Sequence, residues 1–189
     1  MHQFPAIARP GTGHPAPRPG VAGPVTVHRY LSRDVPYPYL GEQALMRTSI
    51  TIAAPAATVW HALLDVERWP TWTDTVTTAS WLDDGPMRVG RRARVVQPRL
   101  GAAVYEVTEL EPEKSFVWSR RSPGVTTVAG HYLTPQPDGT TLLTLSIEHS
   151  GPLAGLGRLL TDRLTRRYLE TEARGLKTYS EREHAAGRP

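Results

Sequence analysis

Residues 151–179 read GPLAGLGRLLTDRLTRRYLETEARGLKTY, the longest periodic stretch of the chain. Leu153, Leu156, Leu160, Leu164, Tyr168, Thr171, Leu176 and Tyr179 recur mostly at steps of three or four, the repeat that aligns side chains along one face of an α-helix. Arg158, Arg163, Arg166, Arg167, Arg174 and Lys177 fall largely off that stripe. The spacing predicts an amphipathic helix of about 25 residues. Such a helix alone is marginal in water, so its stability has to come from burying the stripe.

What it buries against lies upstream. Val76–Leu82, Gly90–Gln97, Ala103–Leu110, Ser115–Arg120, Val125–Thr134 and Thr140–His149 read as strands. Turn signals separate them: Asp83-Asp-Gly-Pro86, Pro98 to Gly101, Glu111-Pro-Glu-Lys114, Ser122-Pro-Gly124 and Pro135-Gln-Pro-Asp-Gly139, the last with Asp-Gly at a hairpin tip. Connections this short allow only an antiparallel meander. A further strand, Ser49–Ala53, precedes them. Pro55 then stands where a helix accepts proline, opening a short helix, Ala56–Leu64, with Val59, Trp60, Leu63 and Leu64 on its apolar face. Glu67-Arg-Trp-Pro-Thr-Trp72 forms a second helical turn, re-aimed by Pro70. The expected fold class is α+β, with two short helices after the first strand. A curved seven-stranded antiparallel sheet wraps around the one helix long enough to fill its concavity.

The chain of 189 residues supports one domain with an appendage. Residues 1–44 hold eight of the eighteen prolines and almost no apolar periodicity, so they cannot offset their ordering entropy and are expected to be disordered. The domain is expected to span 45–183, with 184–189 as a short disordered tail. Met46, directly before the first strand, marks a candidate start of translation. The absence of cysteine excludes disulfides and thiolate chemistry, and a cytoplasmic location is expected. No apolar run reaches the roughly 18 residues of a membrane span. The net charge of +4 comes mostly from arginines at surface spacing, so no nucleic-acid partner is expected. Neither a His-x-x-x-His pattern nor a phosphate-binding loop is present, and neither metal nor cofactor is expected.

Several stretches, in order, resemble one family. They are Ile50-Thr-Ile-Ala-Ala-Pro55, Val59-Trp60, Leu64-Asp-Val-Glu-Arg-Trp-Pro-Thr-Trp72, Gly90 before a strand, and Tyr105-Glu-Val-Thr-Glu-Leu-Glu-Pro112. Phe116-Val-Trp118, Asp138-Gly-Thr-Thr-Leu142 and Ser150-Gly-Pro-Leu153 follow. From about Met46 to Glu181 the chain resembles the START-like helix-grip superfamily (SRPBCC), in its polyketide cyclase/dehydrase and lipid-transport branch. The resemblance implies the helix-grip fold, with a ligand held between the concave sheet and the long helix. It does not decide function, because this fold hosts carriers, receptors and enzymes alike.

Alternation along the strands puts Val95, Gln97, Tyr105, Val107, Phe116, Trp118, His131, Leu143 and Leu145 on the inner face. A slip of one residue would exchange each for its neighbour. Leu160 and Leu164 of the helix and Trp72 at the mouth complete the expected ligand-binding set, while Trp69 is read as a pin holding its helical turn to the sheet. His131, Tyr105 and Arg120 are the candidates for proton handling, His131 first because its ordinary pKa lies near neutrality. The leading expectation is cofactor-independent binding or transport of a hydrophobic or aromatic small molecule, such as a polyketide or lipid, by a monomer or homodimer. Two alternatives stay open. One is a polyketide cyclase/aromatase or dehydrase using the same pocket. The other is a protein-interaction module with a vestigial pocket, whose cavity should then fall below about 300 Å³.

Overall fold

The computed structural model describes residues 45–187, and the side chains at 46–155 and 161–187. The expectations for residues 1–44 lie outside that range. Seven strands follow the predicted order: β1 (Leu45–Ile52), β2 (Thr78–Trp81), β3 (Arg92–Gln97), β4 (Gly101–Glu111), β5 (Ser115–Ser122), β6 (Val125–Pro135) and β7 (Thr141–Ser150). They form one antiparallel sheet in the order β1-β7-β6-β5-β4-β3-β2. The six later strands are thus the predicted meander. The first strand returns to pair with the last, from Leu45 opposite Glu148 to Ile52 opposite Thr141. Helix α1 (Ala56–Leu64) and a 3₁₀ turn (Val66–Thr71) carry the chain from one sheet edge to the other.

Helix α2 runs from Ala154 to Ala185, longer than predicted and continuing through His184 and Ala185, where a tail was expected. It packs mainly on β1 and α1, less on β7, and least on β6. Among its described side chains, the buried ones are Ala154, Thr165, Leu169, Ala173, Leu176, Tyr179 and Ser180. The predicted stripe is therefore corrected by a rotation. At about 100° per residue, each step of four overshoots a full turn by about 40°, so a row such as 156–160–164–168 winds around the helix. Leu164, Tyr168 and Thr171 consequently stand beside the buried arc, each only half-buried. No helix among the described residues is long and apolar enough to cross a membrane.

The core lies between the sheet, α1 and α2, and includes the fully buried Ile52, Leu63, Val66, Phe116, Leu143 and Leu176. Trp69 is 1% exposed, and its indole N–H donates to the Leu63 carbonyl at 3.1 Å. A β-bulge between Val107 and Glu109 shifts the β4–β5 register.

Asp83, in the turn before β3, closes that turn by accepting from the Arg92 backbone N–H at 2.8 Å and from its guanidinium at 2.8 Å and 3.2 Å. These bonds hold the Asp83 carboxyl down at about 2, against an ordinary 3.8. A carboxyl lowered in the folded state contributes stability above its unfolded pKa and loses it as pH falls through the folded one. Melting temperature followed from neutral pH down to about pH 2 is therefore expected to fall less steeply for Asp83→Asn than for the wild type, the two curves converging at the acid end. Parallel curves would show that the bridge carries no folding free energy.

Candidate functional site

Cross-strand partners share a face of the sheet, so the register orders the concave surface in rows. Thr48, Leu145, His131 and Phe116 form one row, through the pairs Thr48–Leu145, His131–Leu145 and Phe116–His131. Met46, Ile147, Ala129 and Trp118 form the next. One step further, beside the Glu106–Ser119 pair, stand Tyr105 and Arg120, with the guanidinium 5.8 Å from the centre of the phenol ring.

Between these rows and α2 lies a cavity of about 50 Å³. The structure brings six of the predicted site residues to its walls: Val95, Gln97, Tyr105, Trp118, His131 and Leu145. The others are elsewhere, for separate reasons. Phe116 is fully buried with its ring stacked on His131, centroids 4.1 Å apart, so it supports the imidazole from behind. Leu143 is fully buried in the core, one step further along β7. Val107 is buried beside the bulge, its backbone bonded to Gly90 and Arg91. Leu164 lines a different cleft, and the side chain of Leu160 lies outside the described residues.

The two tryptophans line different openings, and Trp69 is packed on the sheet as well. Trp69 lines the cavity, its centroid 5.2 Å from Trp118 and 5.5 Å from His131. Trp72, its ring centroid 6.5 Å from that of Tyr179, lines a cleft of about 260 Å³ between α1 and the end of α2. The two rings are 5.5 Å apart, and of the two only Trp69 lines the inner cavity.

Two polar groups escaped the sequence reading. Glu172 of α2 reaches the cavity, with Oε1 3.2 Å from His131 Nε2. Its side chain is 13% exposed and that of His131 4%. The signal was available in the helical spacing, because Leu169, Glu172, Ala173 and Leu176 recur at three or four. It was hidden by the leucine-rich row on the neighbouring face. The second is His149, which bonds Thr127 Oγ1 through Nδ1 at 3.0 Å.

The electrostatics follow from burial. Burial pushes the Tyr105 phenol above its ordinary 10, Arg120 opposing and Glu172 adding to the rise, so the hydroxyl stays protonated at neutral pH. With a carboxylate at Nε2, a neutral imidazole puts its proton there and leaves Nδ1 as an acceptor. His131 Nδ1 and Arg120 Nε are buried without a hydrogen-bond partner among the described residues. No group of three potential metal ligands occurs among those residues. The cavity thus presents aromatic walls, a phenol donor and a carboxylate-backed imidazole.

None of the curated proteins matches this chain in sequence. Solved structures match in fold. A START superfamily protein from Mycobacterium smegmatis is 17% identical, with a TM-score of 0.60 over 73% of this chain and 97% of its own. The Zhui aromatase/cyclase of a Streptomyces species is 18% identical, with a TM-score of 0.65 over 77% and 99%. A hypothetical protein of Helicobacter pylori is 14% identical, with a TM-score of 0.64 over 74% and 90%. These likenesses show the helix-grip fold. The family model described as polyketide cyclase / dehydrase and lipid transport matches residues 43–181. On that match, spanning most of the sequence, the chain belongs to the polyketide cyclase / dehydrase and lipid transport family.

Proposed function

We propose that this protein binds a small apolar or aromatic molecule between the sheet and α2, walled by Trp69 and Trp118 and oriented through Tyr105 and His131. One observation carries the reading: His131 is 3% exposed and lines a cavity, yet its Nδ1 has no hydrogen-bond partner among the described residues. An unpaired buried polar group costs about 1–3 kcal/mol, an expense that packing alone does not explain and a ligand hydroxyl would offset.

The volume sets a condition. About 50 Å³ holds a few waters, whereas drug-sized ligands occupy roughly 300 Å³ or more. Binding therefore requires the trough to open. The backbone of α2 runs closest to β1 and α1 and less close to β6, where the His131–Glu172 bond joins the two and would have to part or move with the helix if that side opened. The small volume is also the observation that favours a vestigial pocket in an interaction module. The unpaired Nδ1 of His131 counts against that alternative.

A chemical role is the second reading, favoured by the His131–Glu172 pair. The carboxylate would hold the ring and stabilise the imidazolium while Nδ1 takes a proton from a carbon acid or phenol, as ring closure or dehydration of a polyketide-like substrate requires.

Thermal unfolding with a panel of planar probes such as 2-naphthol tests binding. At a hundredfold excess over Kd, stabilisation is about 2.7 kcal/mol, a rise of roughly 8 °C for a domain of this size. If no probe shifts the transition or quenches tryptophan fluorescence saturably, the binding reading falls. If probes bind and His131→Gln leaves their affinity within a few-fold while abolishing turnover of a poly-β-ketone substrate, the second reading is established.

A further inference from the structure

A second cleft, of about 240 Å³, lies behind the cavity between α2, the β3–β4 turn and the segment before β2. Its walls include Asp74, Pro98, Arg99, Leu164, Arg167 and Tyr168. On three separate segments it stands one residue away from the inner cavity. Thr75, Pro98 and Tyr168 line the cleft, while their neighbours Val76, Gln97 and Leu169 line the cavity. The Tyr168 hydroxyl donates to the Pro98 carbonyl, fixing the turn against α2.

The charge in this cleft is unspent. Arg99 and Arg167 make no ion pair among the described residues, nor does Asp74, the one carboxylate beside them. Arg99 also sits at φ 64°, a left-handed conformation that glycine adopts freely and a long side chain adopts only under strain. That strain is local to an exposed arginine on the wall of the cleft.

We infer that this cleft receives the anionic end of an amphipathic ligand, a carboxylate or phosphate monoester, whose apolar part reaches into the inner cavity. Two guanidinium groups match either anion through paired N–H donors. Pro98, Leu164 and Tyr168 offer apolar surface for the carbons between the charge and the cavity. The inference rests on the binding reading above, and assigns the inner cavity to the apolar end only.

The test measures affinity for decanol, decanoate and decyl phosphate by tryptophan fluorescence, in the wild type and in R99Q/R167Q. In low salt the wild type is expected to hold at least one anion about tenfold more tightly than decanol, and to lose most of that advantage near 1 M salt, where screening reaches ~3 Å. The double variant should bind decanol as the wild type does and show no preference for an anion. An advantage confined to one anion names the headgroup. Decanol binding without an anionic advantage overturns this inference and leaves the binding reading intact; no binding of any of the three overturns this inference, and the 2-naphthol measurement decides the binding reading separately. An advantage that survives in R99Q/R167Q and disappears in Arg120→Gln also overturns it, by placing the anion inside. Should the double variant not fold, the single variants R99Q and R167Q, each at an exposed position, serve in its place.

Discussion

Gly175→Ala is expected to destabilise the protein by about 3 kcal/mol, at the upper end of what overpacking costs. Helix propensity alone points the other way, since alanine in a helix interior is favoured over glycine by about 1 kcal/mol. Contact decides the sign. A Cβ at position 175 would lie 2.0 Å from the Trp72 carbonyl oxygen and 3.4 Å from its ring, and the nearest atom is backbone that cannot swing aside. The end of the 3₁₀ turn and α2 are therefore in contact only because residue 175 has no side chain. Urea unfolding should show a lower midpoint at unchanged slope. A variant as stable as the wild type would show that α2 does not sit this close to Trp72.

The second large effect concerns the buried pair. His131→Leu leaves the Glu172 carboxylate, 13% exposed, without its partner 3.2 Å away. Removing one member of a buried pair costs about 3–5 kcal/mol; the residual solvent contact of Glu172 puts the expected loss nearer 2–3 kcal/mol. Glu172→Leu leaves both imidazole nitrogens unpaired, at about 1–3 kcal/mol. The double variant His131→Leu/Glu172→Leu replaces the pair by apolar groups of fitting size and should lie within about 1 kcal/mol of the wild type. The cycle then gives a coupling of about 2 kcal/mol or more. If the pair exists for the ligand, the stable double variant binds planar phenols poorly. Additive single effects would mean that the two side chains do not meet.

Strand parity was readable because each inner residue alternates with a polar or small neighbour. Val95, Tyr105, Trp118, His131 and Leu145 all reach the cavity walls as the alternation required. Parity does not tell how deep along a strand a residue lies. Phe116 and Leu143 share the inner face and are nonetheless covered by core. Helix phase was harder, since two apolar rows run along α2 and the richer one, through Leu164 and Tyr168, faces the outer cleft. The row that lines the cavity carries Leu169 and Glu172, only one of them apolar. Trp69 and Trp72 are separated by two residues in a turn bent by proline, and local pattern gives no means of choosing which faces inward. The approach of Glu172 to His131, 41 positions apart, is a tertiary fact that neither segment announces alone.

Native mass spectrometry of the protein taken from its own host, compared with an Ala129→Phe variant that fills the cavity floor, addresses the ligand site directly. Ala129 is 9% exposed, on the cavity wall beside Trp118. The account expects a small-molecule adduct on the wild type and a bare Ala129→Phe chain. A bare wild type, or the same adduct on both, would contradict it.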